Sequence, residues 1–114
     1  MKTFIGFMLI GLLALVAHSG AVAQQEVDRT TPAYTYGRYG CNACHAGRGE
    51  GTVIGVPIAK RQGGPLTREE IIRALRTPRD MMPAFPPERL SEADLEKIIA
   101  HIAAMEAGTS APRR

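Results

Sequence analysis

Cysteine occurs twice in this chain of 114 residues, and both copies fall in one pentapeptide, Cys41-Asn42-Ala43-Cys44-His45. The pattern C-x-x-C-H is that of covalent c-type haem attachment. Two thiols three positions apart each reach a vinyl group on one edge of a porphyrin, and the histidine that follows is placed under the iron. A chain that carries such a group takes part of its interior from the cofactor.

Other chemistries fit the pentapeptide less well. A thioredoxin-like redox pair needs an alternating βαβ context, which this sequence does not offer. A structural zinc site needs four ligands, and Cys41, Cys44, His45 and His101 supply them only as an irregular set. A Cys41–Cys44 disulfide closes too small a loop to restrain the unfolded chain much.

The first residues are expected to be a secretory signal peptide. Met1-Lys2-Thr3 is a short positive region, Phe4 to Val16 is apolar, and Ala21-Val22-Ala23 is a small-x-small cleavage site. The apolar run is shorter than the roughly 20 residues that span a bilayer. No cysteine follows it closely, which excludes a lipoprotein anchor. Cleavage after Ala23 predicts a periplasmic chain of residues 24–114, one small domain whose core alone is marginal. A buried haem supplies the missing interior.

The formal net charge of +3 falls by one when Lys2 leaves, and two haem propionates bring it near zero. The basic residues are scattered and not interleaved with aromatics, which argues against nucleic acid as a partner.

The domain is expected over residues 34–107, between a polar lead-in at 24–33 and a polar tail at 108–114. Tyr34, Tyr36 and Tyr39 precede the motif in a stretch where Pro32, Gly37 and Gly40 limit any helix. Residues 47–64 read as a glycine-punctuated loop wrapped along an apolar ligand. Thr67 and Glu70 form a capping box, opening a helix with Ile71, Ile72 and Leu75 on one face and Arg68, Arg73 and Arg76 elsewhere. Pro78 stops it near Thr77. Residues 80–89 are a stiff, proline-rich loop. Ser91 caps the last helix, whose buried stripe is Leu95, Ile98, Ile99, Ile102 and Met105, and Gly108 ends it.

A haem iron with histidine on one face needs a second ligand. Met81-Met82-Pro83-Ala84-Phe85 offers a thioether in a proline-held loop, and a thioether raises the reduction potential relative to His/His ligation. Met82, directly before proline, is favoured over Met81.

These segments together resemble a small class I cytochrome c over residues 34–106. The resemblance rests on Cys41-x-x-Cys44-His45, on Met82-Pro83-x-Phe85, and on the helix start Leu90-Ser91-Glu92-Ala93-Asp94-Leu95. It implies an all-α cytochrome c-like fold around one covalent haem c, with thioethers at Cys41 and Cys44 and with His45 and Met82 as axial ligands. It also implies that the Pro57 carbonyl accepts the His45 Nδ1–H. The sequence departs from the family in two places. Ala33 and Gly37 stand where the first helix usually carries a glycine and an aromatic. His101 stands where the last helix usually carries Tyr or Trp. His101 reads as a structural histidine rather than a sixth ligand, and His18 leaves with the signal peptide.

The expected function is outer-sphere electron transfer between Fe(III) and Fe(II), as a shuttle or as the cytochrome subunit of a dehydrogenase or respiratory complex. Partners are redox proteins such as a dehydrogenase, a respiratory complex or an oxidase, with membrane contact only through them. Arg38, Lys60, Arg61 and Arg79 are either solvated surface charge or steering groups for an acidic partner. The competing reading is a haem enzyme or gas sensor with a labile distal methionine; no distal His/Arg pair for peroxide cleavage is evident.

Overall fold

The structure, a computed structural model, describes residues 26–77 and 79–109. The expected signal peptide, Pro78 and the last five residues of the tail lie outside them. Four helices run along the described chain: α1 (Pro32–Arg38), α2 (Cys41–His45), α3 (Arg68–Arg76) and α4 (Glu92–Ala107).

Three of the four begin on a hydroxyl cap. Thr31 Oγ1 accepts the Tyr34 N–H at 3.2 Å, and Pro32 presets φ in the first turn. Thr67 and Glu70 form the expected reciprocal capping box. Ser91 Oγ accepts the Asp94 N–H. The α1 cap revises the expected lead-in over 24–33. Pro32 and Ala33 are helical, and Asp28 accepts both the N–H and the hydroxyl of Thr30, ordering the turn ahead of the cap. The far end is revised likewise. Gly108 at φ +73 lets the Gly108 and Thr109 amides donate to Met105 and Ala104, so the expected tail begins as the C-terminal cap of α4.

Among the described residues the β pairing is one isolated bridge, Arg79 to Met82. The all-α expectation therefore holds. Residues 46–67 form a loop, as the glycines predicted.

The core gathers the inner stripe of α4 (Leu95, Ile98, Ile102, Met105) with Ile71 and Leu75 of α3. Ile72 and Ile99 pack partly buried against it. Phe85 and Leu90 seal it from the proline loop. Helix α1 packs chiefly on α4. At their crossing the Tyr36 ring lies 4.9 Å from the His101 ring, tilted by 51°, and both side chains are buried. His101 thus fills an interior position between the two helices. Beside this crossing Asp94 accepts from Arg38 and from the Tyr39 hydroxyl, at 2.6 and 2.9 Å. Arg38 is therefore paired across the α1–α4 contact, while its side chain stays half-exposed.

Candidate haem-binding site

The pentapeptide is itself helix α2, one turn long. Gly40 enters it at φ +80, a conformation that a side chain resists. Within such a turn Cys41 and Cys44 stand three residues apart on one face. Both are free thiols and partly accessible. Burial pushes the Cys41 thiol up to about 11, so that sulfur remains a neutral thiol in apolar surroundings.

The loop after α2 is laced to the turn. Thr52 Oγ1 donates to the Cys44 carbonyl at 2.6 Å, and the Gly51 N–H donates to the His45 carbonyl at 3.0 Å. Thr52 Oγ1 also accepts the Ile54 and Gly55 amides at 3.2 Å each, curling the loop against α2. The approach is so close that a Cβ at Gly55 would overlap the Cys44 carbonyl. Gly49 then closes the loop, its carbonyl accepting from the Ile58 and Ala59 amides.

This lacing fixes the His45 ring. Its Nδ1 lies 2.7 Å from the Val56 carbonyl. A carbonyl only accepts, so the proton sits on Nδ1 and the Nε2 lone pair is the one available to a metal. The resemblance assigned this acceptor to Pro57, and the structure corrects it by one residue. Pro57 restricts the residue before it to extended backbone; it thus acts on His45 indirectly, by holding Val56. The correction has no signal in the sequence, because every residue carries a carbonyl.

At its C-terminal end the turn exits through Ala46 at φ +64, ψ +168, a region occupied almost only by glycine. The Tyr36 hydroxyl donates to the Ala46 carbonyl at 3.1 Å. Tyr36 thereby links the α1–α4 crossing to the residue after His45, a role that no motif announced.

The two methionines differ in place. Met81 is 81% exposed, whereas Met82 is partly buried against the core, as is Cys41. Met82 closes a two-residue turn with Arg79, which bonds it in both directions at 2.8 and 3.2 Å, and Asp80 takes a positive φ within that turn. The described residues contain no group of three or more His, Cys, Asp or Glu placed to hold a metal ion, which removes the irregular zinc set. His101 belongs to the α1–α4 crossing.

The residues present fit a haem. Two free thiols share a face of one turn, an imidazole beside them is held through Nδ1, and Val53, Ile54 and Val56 expose apolar side chains on the loop bound to that turn. When bound, the haem supplies a one-electron Fe(III)/Fe(II) couple. The chain's own contribution is to attach it, to orient His45 and to exclude water.

The family model described as cytochrome c oxidase, cbb3-type, subunit III matches residues 27–102. No curated protein and no solved structure matches the chain.

Proposed function

The chain belongs to the family of cytochrome c oxidase, cbb3-type, subunit III, and so is a c-type cytochrome; on that premise we propose a periplasmic electron carrier with a single covalent haem on Cys41 and Cys44. His45 Nε2 is one axial ligand and the Met82 thioether the other. The observation that carries the reading is the His45 Nδ1 contact to the Val56 carbonyl, since a ring whose Nδ1 donates to a backbone carbonyl is oriented with Nε2 as the nitrogen left to a metal.

The stoichiometry is supported by the two cysteines and by the one C-x-x-C-H segment. Export is supported by the charged, apolar and small-x-small order of residues 1–23. Two protein ligands leave no open position for substrate, so the chain passes electrons and does not itself turn over a substrate. The family's name supports a respiratory partner, with the chain acting as a subunit or as a shuttle to such a complex. No helix among the described residues is long and apolar enough to cross a membrane, and membrane contact is made through that partner.

The test is spectroscopic. The purified protein is expected to keep its haem through denaturation, to show a low-spin ferric spectrum with the far-red iron–thioether band, and to bind carbon monoxide slowly. Met82→Ala abolishes the band and lowers the reduction potential, while Met81→Ala leaves both unchanged. A five-coordinate spectrum or rapid carbon monoxide binding in the unaltered protein favours the enzyme or sensor reading instead. Loss of the band in Met81→Ala alone transfers the ligand to Met81.

A further inference from the structure

The last residue of α3 is an arginine turned inward. Its side chain is only 18% exposed, although the sequence pattern set it apart from the apolar face. Arg76 Nη1 donates to two carbonyls at once, those of Phe85 and Leu90, both at 2.8 Å. Its second terminal nitrogen pairs with Glu92 at the start of α4. The Phe85 amide meanwhile donates to the Leu75 carbonyl at 2.6 Å. Both backbone polar groups of Phe85 are therefore held by the final turn of α3, one through the main chain and one through a guanidinium.

Prolines 83, 86 and 87 remove three amides from this loop. The loop's own hydrogen bonds run from the Arg89 and Leu90 amides to the Pro86 carbonyl and from the Arg89 side chain to the Ala84 carbonyl; none of them reaches Phe85, which a planar fork of donors is suited to hold. The anchor at Phe85 stands three residues after Met82. The two-residue turn at Arg79–Met82 rigidifies the intervening approach from α3.

We infer that Arg76 is a positioning residue for the Met82 thioether: it staples the proline loop to α3 and α4 and thereby holds a weak axial ligand in place. The inference rests on the assignment of Met82 as that ligand. Rupture of the staple lets the loop swing, and an external ligand then competes more easily for the iron.

Imidazole binding to the ferric holoprotein reads this competition, and amide exchange at Phe85 reads the staple itself without reference to iron. Arg76→Ala is expected to raise the imidazole affinity by about tenfold or more and to accelerate Phe85 exchange by a similar factor, with the haem still covalently attached. Arg76→Lys, which cannot serve two carbonyls through a rigid fork, falls between and provides the reading if the alanine variant does not fold. Glu92→Gln keeps both carbonyl contacts and changes the affinity by less than about twofold. Unchanged Phe85 exchange in the Arg76 variants overturns the staple. Faster exchange with unchanged imidazole affinity overturns its role in ligation. In that case Met82→Ala discriminates: an affinity that it too leaves unchanged shows that Met82 was never the ligand, whereas a rise shows that the loop holds Met82 without Arg76.

Discussion

Ala46 is the residue under greatest backbone strain near the haem turn. At φ +64 and ψ +168 its Cβ sits where glycine alone is comfortable, at a cost on the order of 1–3 kcal/mol. The strain persists because both sides of the peptide are held: α2 ends at His45, and the Tyr36 hydroxyl takes the Ala46 carbonyl. Ala46→Gly is therefore expected to stabilise the fold by about 1 kcal/mol after the entropic cost of glycine, read as a higher urea midpoint. Tyr36→Phe is expected to lower stability by about 1 kcal/mol, leaving the aromatic contact with His101 in place. The two substitutions meet at one peptide, so their effects should not add. A double-mutant cycle measured by denaturant unfolding tests this, and strict additivity would show that the hydroxyl does not hold the strained turn.

At the scale of elements, α2 and the loop that follows behave as one unit. Gly55 is the point of contact. A methyl there meets the Cys44 carbonyl and Cβ, and the backbone of a helical turn cannot readily yield. Gly55→Ala is expected to cost about 1–3 kcal/mol by overpacking. It also pulls Thr52 from Cys44 and Val56 from His45, which broadens the haem spectrum; Gly47→Ala, where nothing lies within 4 Å, serves as the neutral control. A Gly55→Ala protein with unaltered spectrum and midpoint would mean that the loop is not needed to orient His45. The longer helices were legible in the sequence because their ends are written in side chains, Thr67 with Glu70 and Ser91 with Gly108, and because α4 repeats its apolar residues at helical spacing. The helical turn α2 was not legible. Five residues between Gly40 and Ala46 carry no periodicity, and their conformation is imposed from outside by Tyr36, Gly51 and Thr52. The inward role of Arg76 was not legible for a related reason: the sequence only sets it off the apolar face, and the fold brings the carbonyls to it.

The whole molecule is small for what its cores must do. The α3–α4 layer and the α1–α4 crossing share one cluster of buried apolar side chains, with α1 only seven residues long. Helices that short do not persist alone in water. Meanwhile Val53, Ile54 and Val56 stand exposed on the loop tied to α2, a poor arrangement for a polypeptide that folds without a partner group. A haem bound at α2 would then be a structural element as well as a redox one, joining α2 and its loop to the remainder. A Cys41→Ala, Cys44→Ala double variant is expected to retain part of the α4 helicity by circular dichroism. It should bind a hydrophobic dye and unfold in urea without a sharp transition, whereas the haem-bearing protein unfolds cooperatively. The ligand logic is that of any group bound only by the native state, made permanent where the two proposed thioethers form. Adding free haemin to the variant should restore part of the cooperativity through His45 alone. Substituting His45→Ala in the same background should remove that rescue if His45 is the axial ligand proposed for it. A cooperative transition in the haem-free variant with the slope of the native protein would show that the polypeptide core suffices. The exposed loop residues would then be a docking surface rather than one wall of the haem site.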